Sequence, residues 1–286
     1  MKTMKRMMVG ALMMLSAATL MSCSMGGRLV GVDGSCMKMG GSYNMNGNLQ
    51  YSQQDLLPKA FKAIDVSVVA DVYYTQNSGD KHDVRLDFSA IRDDDTRELM
   101  KEKVKVVYRD GGVEIGVTGN VKSTRGMDEG KRLKVYITSP DLVKVDMEGV
   151  GSFHAGTINS DQLEMDNEGV GSMYVKEVLA NKLKVTNEGV GSVTIDKVTG
   201  DDFSIDNEGV GKVNVGFYKG GKLDIDNEGV GKVSAKVDCK SIKASLEGVG
   251  GITLSGKTQF YKKEKDGVGH FSDADLEYSK ILKVTD

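Results

Sequence analysis

Tryptophan is absent from this chain of 286 residues, proline occurs twice, cysteine three times, and only 6% of residues are aromatic, while glycine reaches 36. The balance fits an exported all-β protein of one or two domains. Three cysteines make no paired framework. Apart from Cys23, discussed below, there remain Cys36 and Cys239, expected as two free thiols, although an oxidising compartment would allow them to pair. His82, His154 and His270 are isolated along the chain and no Cys/His cluster has metal-ligand spacing, so no metal and no cofactor is expected. A formal net charge of −3 gives no reason to expect a nucleic-acid partner, which would favour a basic patch.

Long apolar runs are also missing, except at the start. Lys2, Lys5 and Arg6 precede an uncharged stretch from Met7 to Leu20. A membrane-spanning helix needs about 20 apolar residues, so this stretch has the length of a signal-peptide core instead. It ends at Leu20-Met21-Ser22-Cys23, which resembles a bacterial lipobox. In that chemistry Cys23 becomes the first mature residue and carries the acyl chains that anchor the protein to the membrane. Residues 1–22 are then the signal peptide.

From 23 to 58 the chain is rich in Gly, Ser, Asn and Met and reads as a flexible tether. Residues 59–140 form a β-rich entry region or cap. Short β-branched or alternating runs mark strands at 66–75, 83–88, 103–108, 113–117 and 133–138. Asp110-Gly111-Gly112 is a hairpin turn, and 93–103 reads as one short helix with acids at its N-terminal end.

Residues 141–286 carry the strongest signal. Glu-Gly-Val-Gly recurs at Glu148, Glu168, Glu188, Glu208, Glu228 and Glu247 and degenerates at Asp266. The spacing is 20 residues four times and 19 twice, the signature of about seven stacked coils. A helix pair needs more than about 30 residues per repeat, so each coil must be built of short strands. Five residues before each acid stand Val143, Leu163, Leu183, Phe203, Leu223 and Ile242, and three before stand Val145, Met165, Val185, Ile205, Ile225 and Ala244. This alternation gives one inward-facing strand. Two after each acid is always Val; the fifth and seventh residues after it are again apolar and complete a second. A weaker third column runs through Ile158, Val178, Val198 and Tyr218. A parallel β-solenoid follows.

Asn167, Asn187, Asn207 and Asn227 precede their acids at the parity of the inward residues, with Met147 and Leu246 replacing Asn in the flanking coils. They read as a stacked ladder, since identical strands in register let each amide bond its neighbours. The paired glycines mark either positive φ or a close approach at the corner. The Glu column reads as a solvated acidic stripe. Carboxylates about 4.8 Å apart repel by roughly 1 kcal/mol per pair before screening, which Lys212 and Lys232 could offset. A weak cation stripe is the alternative, although the Gly-Gly-x-Gly-x-Asp repeat of calcium-binding β-rolls is missing.

The lipobox, the strand Ala70-Asp71-Val72-Tyr73-Tyr74-Thr75-Gln76, the strand ending at Pro140 and the turn Glu148-Gly149-Val150-Gly151-Ser152 together resemble the auto-transporter adhesin family that carries the head GIN domain, common among Bacteroidetes lipoproteins. The resemblance runs from about Phe61 to the C-terminus. It implies a right-handed β-helix with an adhesin-like role and brings no catalytic residues. The reading is a lipid-anchored envelope protein whose solenoid surface binds a protein or glycan, not an enzyme. One alternative is a structural or envelope-stress component without a ligand. Another is a polysaccharide-active β-helix enzyme, which would need a unique cluster of acids or bases; the nearly constant coil length leaves no inserted loop to build one. Ser24, where Asp would signal inner-membrane retention, favours the outer membrane. Met25-Gly26-Gly27-Arg28 lacks the acidic run that resembles a surface-export signal, which leaves the exposed face open and weakens the adhesin reading.

Overall fold

The computed structural model describes residues 45–121 and 127–285. The expected signal peptide, Cys23 and Cys36 lie outside these residues. The N-terminal part contains β1 (Met45–Asn48), β2 (Ala63–Val66), β3 (Val69–Gln76), β4 (Asp83–Asp87), α1 (Asp94–Lys103), β5 (Val104–Arg109), β6 (Gly112–Val121) and β7 (Leu133–Ser139). There follow β8 (Lys144–Met147), β9 (Val150–Asn167), β10 (Val170–Asn187), β11 (Val190–Asn207), β12 (Val210–Asn227), β13 (Val230–Leu246), β14 (Val249–Lys265) and β15 (Val268–Thr285). Helix α1 begins where Asp93 Oδ1 accepts the Thr96 N–H at 2.8 Å, which satisfies one of the orphan donors of the first turn. The β5–β6 hairpin turns on Asp110 (φ 52°) and Gly111 (φ 75°), two left-handed residues in succession that match the strand twist.

The fold is a parallel β-solenoid. Strands β8 to β15 pair successively in parallel, each coil lying on the one before with equivalent residues opposed, as in Val170↔Val190, Phe203↔Leu223 and Asn187↔Asn207. The coils shorten from 20 to 19 residues at a bulge between Val215 and Tyr218, where the third column passes from Tyr218 to Val237. The entry region belongs to the same sheet. β2 pairs in parallel with β8 and β3 with β9, so residues 63–76 lie beneath the first repeat as a further layer.

Inside, like stacks on like. Leu163, Leu183, Phe203 and Leu223 form one buried column; Met165, Val185, Ile205 and Ile225 form the next, and Phe153, Met173, Val193 and Val213 face them from the second arm. Two apolar positions depart from the sequence reading. Val143 is 38% exposed because Leu142, buried to 0%, takes the core place at the entry to β8. The Val column two residues after the acids stands outside, from Val190 at 46% to Val268 at 77% exposure. The tight corner breaks the two-residue alternation, so parity cannot be carried across it. Tyr218 fits the core because Gly220 lacks a side chain beside it, and its hydroxyl lies 3.0–3.2 Å from the carbonyls of Gly200, Asp201 and Lys222, among which its one proton is shared.

Close approach, more than positive φ, explains the corner glycines. A Cβ on Gly211 would sit 1.7 Å from the Gly191 carbonyl oxygen of the coil below, and one on Gly209 would sit 2.2 Å from that of Gly189. No rotamer change relieves a clash with backbone. Gly211→Ala should therefore cost more than about 3 kcal/mol, among the larger single-site effects, whereas Gly156→Ala should stay within about 0.5 kcal/mol, since nothing lies within 4 Å of its would-be Cβ. Denaturant unfolding of the two variants checks this; equal losses would contradict the stacking.

Candidate functional site

The corners of the coils bring three columns together: the Asn ladder inside, the Glu column outside, and a mostly acidic column two residues before the Glu positions. The interior column is continuous. Asn167 Nδ2 donates to Asn187 Oδ1 at 2.6 Å, Asn187 to Asn207 at 2.7 Å and Asn207 to Asn227 at 2.7 Å. Asn227 Nδ2 ends the run by reaching the Gly251 carbonyl at 3.5 Å. All four are buried, and the column passes below into Met147 and above into Leu246. The backbone is equally well supplied. The Asn187 carbonyl accepts the N–H groups of Glu208 at 3.0 Å and Gly209 at 2.8 Å, and the same pair recurs at successive corners.

Glu148, Glu168, Glu188, Glu208, Glu228 and Glu247 all point outward and are exposed. Behind them lies the column that the sequence reading overlooked. Asp65, Asp146, Asp166, Thr186, Asp206, Asp226 and Ser245 are stacked in register, from β2 through β13. They have outward parity, yet Asp146, Asp166, Thr186 and Ser245 are buried. The alternation with Val145 and Asn167 marks their parity in the sequence; their burial is not marked there, because it comes from side chains on adjacent coils.

Charge accumulates along this groove. Burial, followed by the nearby carboxylates of Glu148, Asp146 and Glu114, pushes the Asp65 carboxyl up to about 7. Burial and Glu168 push Asp146 up to about 6, and burial with Glu228 and Glu247 does the same for Asp226. Glu148 and Glu168, though exposed, are raised as well, first by partial desolvation and then by neighbouring acids. The compensating cations are few. Lys144 Nζ lies 3.2 Å from Asp166 and 3.5 Å from Asp146, and Lys184 Nζ lies 3.8 Å from Asp206.

Elsewhere on the outer surface, Tyr136, Tyr73 and His154 stack with ring centroids 5.3 Å apart, and the Arg85 guanidinium lies 4.2 Å above Tyr136. His154 Nε2 is 2.9 Å from Ser152 Oγ, which donates to Asp71 Oδ1 at 2.9 Å. His82 Nδ1 accepts the Phe61 N–H at 3.2 Å. Cys239 is a buried free thiol. A depression beside α1 is lined by Arg85, Asp87, Phe88, Ser89, Arg97 and Lys101.

These features define a class: a parallel β-solenoid with coils of nearly constant length and unbroken side-chain columns along its outer faces. The chain belongs to the family described as "Putative auto-transporter adhesin, head GIN domain", whose model matches residues 60–258. Its fold is similar to that of a protein from Bacteroides fragilis described as a putative adhesin, with a TM-score of 0.61 and 24% identity over 75% of this chain and 92% of that one. A putative adhesin from Parabacteroides merdae has a TM-score of 0.42 and 14% identity over 86% of this chain and 95% of that one. A putative lipid binding protein from Parabacteroides distasonis has a TM-score of 0.38 and 14% identity over 80% and 95%. Comparison with curated proteins gives no match.

Two measurements follow from this geometry. Asn187→Leu removes the amide between two buried neighbours and should cost about 1–3 kcal/mol for each polar group left unpaired. Glu188→Gln, one residue away and outward, should cost less than about 0.5 kcal/mol. Equal losses in denaturant unfolding would contradict the assignment of inner and outer faces. The second measurement concerns pH. A carboxyl whose pKa is higher folded than unfolded holds more protons when folded, so its stabilising effect is lost as pH rises. For Asp65 that window runs from the ordinary 3.8 to about 7. Asp65→Asn should therefore raise the melting temperature more at pH 7.5 than at pH 4.5; a shift independent of pH would refute the burial of that charge.

Proposed function

We propose that the protein is a lipid-anchored component of the cell envelope that presents the outer face of its solenoid to a protein or glycan, as an adhesin does. The observation that carries this reading is the exposed valine column. Val190, Val210, Val230, Val249 and Val268 are each at least 43% exposed and lie in register from β11 to β15. One exposed valine needs no explanation, but a contiguous apolar strip on a surface marks an interaction site. Here the strip runs beside the Glu column, which gives a partner both apolar contact and charge to read. Family membership supports the adhesin reading, and the nearly constant coil length favours a binding surface over a catalytic cleft.

Attachment in this proposal comes from Cys23, with Ser24 favouring the outer membrane. Among the described residues no helix is long and apolar enough to cross a membrane. Cys23→Ala should release the protein from the membrane fraction; a variant that stays there and still takes up a palmitate analogue would refute the anchor. For the binding role, the full-length protein in detergent is applied to host-matrix and glycan arrays. Saturable binding that falls at least about tenfold, a loss of about 1.4 kcal/mol, in the pair Val210→Lys and Val230→Lys is the expected result. Binding to no array element would favour a structural envelope component, and turnover of an arrayed polysaccharide would favour an enzyme.

A further inference from the structure

Past each corner the two-residue alternation resumes, so the exposed valines share one outward sheet face with the columns that follow them. Two residues beyond the valines stand Ser192, Lys212, Lys232, Gly251 and His270, in register from β11 to β15. The next outward column, Thr194, Asn214, Ser234, Thr253 and Ser272, is short and uncharged. Lys212 and Lys232 are exposed, as are Glu208 and Glu228 at the corners of the same two coils. Across these coils the surface is banded in the order carboxylate, valine, ammonium.

The order of the bands selects the partner. A strip flanked by one sign of charge calls for a molecule of the other sign, but a strip with acid on one side and base on the other is complementary to itself. A twofold axis parallel to the solenoid axis reverses the strand direction of a second copy and keeps its coils at the same level. Valine then meets valine, and the lysines of each copy lie opposite the glutamates of the other. A twofold axis running across the strip would set glutamate against glutamate and lysine against lysine, which complementary surfaces avoid. Sheets pack face to face about 10 Å apart, and the short side chains from Thr194 to Ser272 leave room for that approach.

We propose that the partner of the valine strip is a second copy of this chain, joined side by side with the two solenoids parallel and Lys212 and Lys232 of each facing the Glu column of the other. The inference rests on the reading of the strip as an interaction surface and names what it engages. Such a contact is isologous and closes at a dimer. Parallel copies have their N-termini at the same end, the arrangement that anchoring of both through Cys23 in one membrane requires. Five coils by three columns cover a footprint of about 20 Å by 13 Å, at the small end for a specific interface. Affinity in solution is therefore low, and confinement on a membrane raises the effective concentration.

Sedimentation velocity of the full-length protein in detergent, over a concentration series, tests the contact. The wild type should show a reversible monomer–dimer equilibrium in the micromolar to millimolar range. Lys232→Glu or Glu228→Lys alone sets like charges opposite each other and should weaken the dimer at least about tenfold. Glu228→Lys combined with Lys232→Glu in one chain recreates the opposed pairs and should return the constant to within about threefold of wild type, the non-additivity expected of charges that meet. Both positions are exposed, and an unchanged thermal melt shows that folding is intact. A wild type that stays monomeric at millimolar concentration would overturn the proposal. If Val210→Lys and Val230→Lys nevertheless abolish binding to an arrayed molecule, the strip remains an interaction surface and its partner is that other molecule. A dimer indifferent to both single exchanges, or one that the double exchange does not restore, also overturns it, because the contact then lies elsewhere or runs the other way.

Discussion

In-register parallel pairing is the constraint from which the rest of this structure follows. Each residue of a coil lies opposite its equivalent one period away, so every position becomes a column of side chains about 4.8 Å apart. A column of leucine or valine is favourable in the core. A column of amides is favourable when each side chain can both donate and accept, as Asn167 through Asn227 do. A column at the corner must be glycine, because any Cβ there would meet the carbonyl of the coil beneath. A column of carboxylates gains nothing from stacking and must be solvated, paired or bridged.

That last case makes the acidic corner the place where stacking works against stability. The fold imposes the Asp and Glu columns on one another, and Lys144 and Lys184 offset only part of the charge. The apolar core and the backbone ladder have to support this repulsion. The family to which the chain belongs and the exposed valine strip both direct attention to the outer surface. There the same stacking turns single side chains into stripes long enough for a partner to engage.

Much of the architecture was legible because the period is nearly exact. The recurrence of Glu-Gly-Val-Gly gives the coil length, and the alternation of Leu183, Val185 and Asn187 gives the parity of one arm. Two things were hidden. Alternation does not survive a corner as tight as Gly189-Val190-Gly191, so the side on which Val190 stands could not be read from its neighbours. Burial of an outward residue depends on what lies on the adjacent coil, so Asp146 looked in the sequence like any exposed strand acid. Its environment is made by Asp65, some 80 positions earlier, in a region that reads as a separate cap until the pairing of β2 with β8 is seen.

If coils are the units of this fold, the most direct measurement removes one. Deleting residues 188–207 joins Asn187 to Glu208 and takes out one whole period, leaving every column continuous and one member shorter. Stability of a stacked array is close to a sum over its units and their interfaces. The shortened protein should keep a β-type circular dichroism spectrum and a single cooperative melt, at a modestly lower temperature. Deleting only residues 188–197 takes out half a coil, throws all columns out of register and should abolish the folded state. Equal damage from the two deletions would contradict the account at its centre.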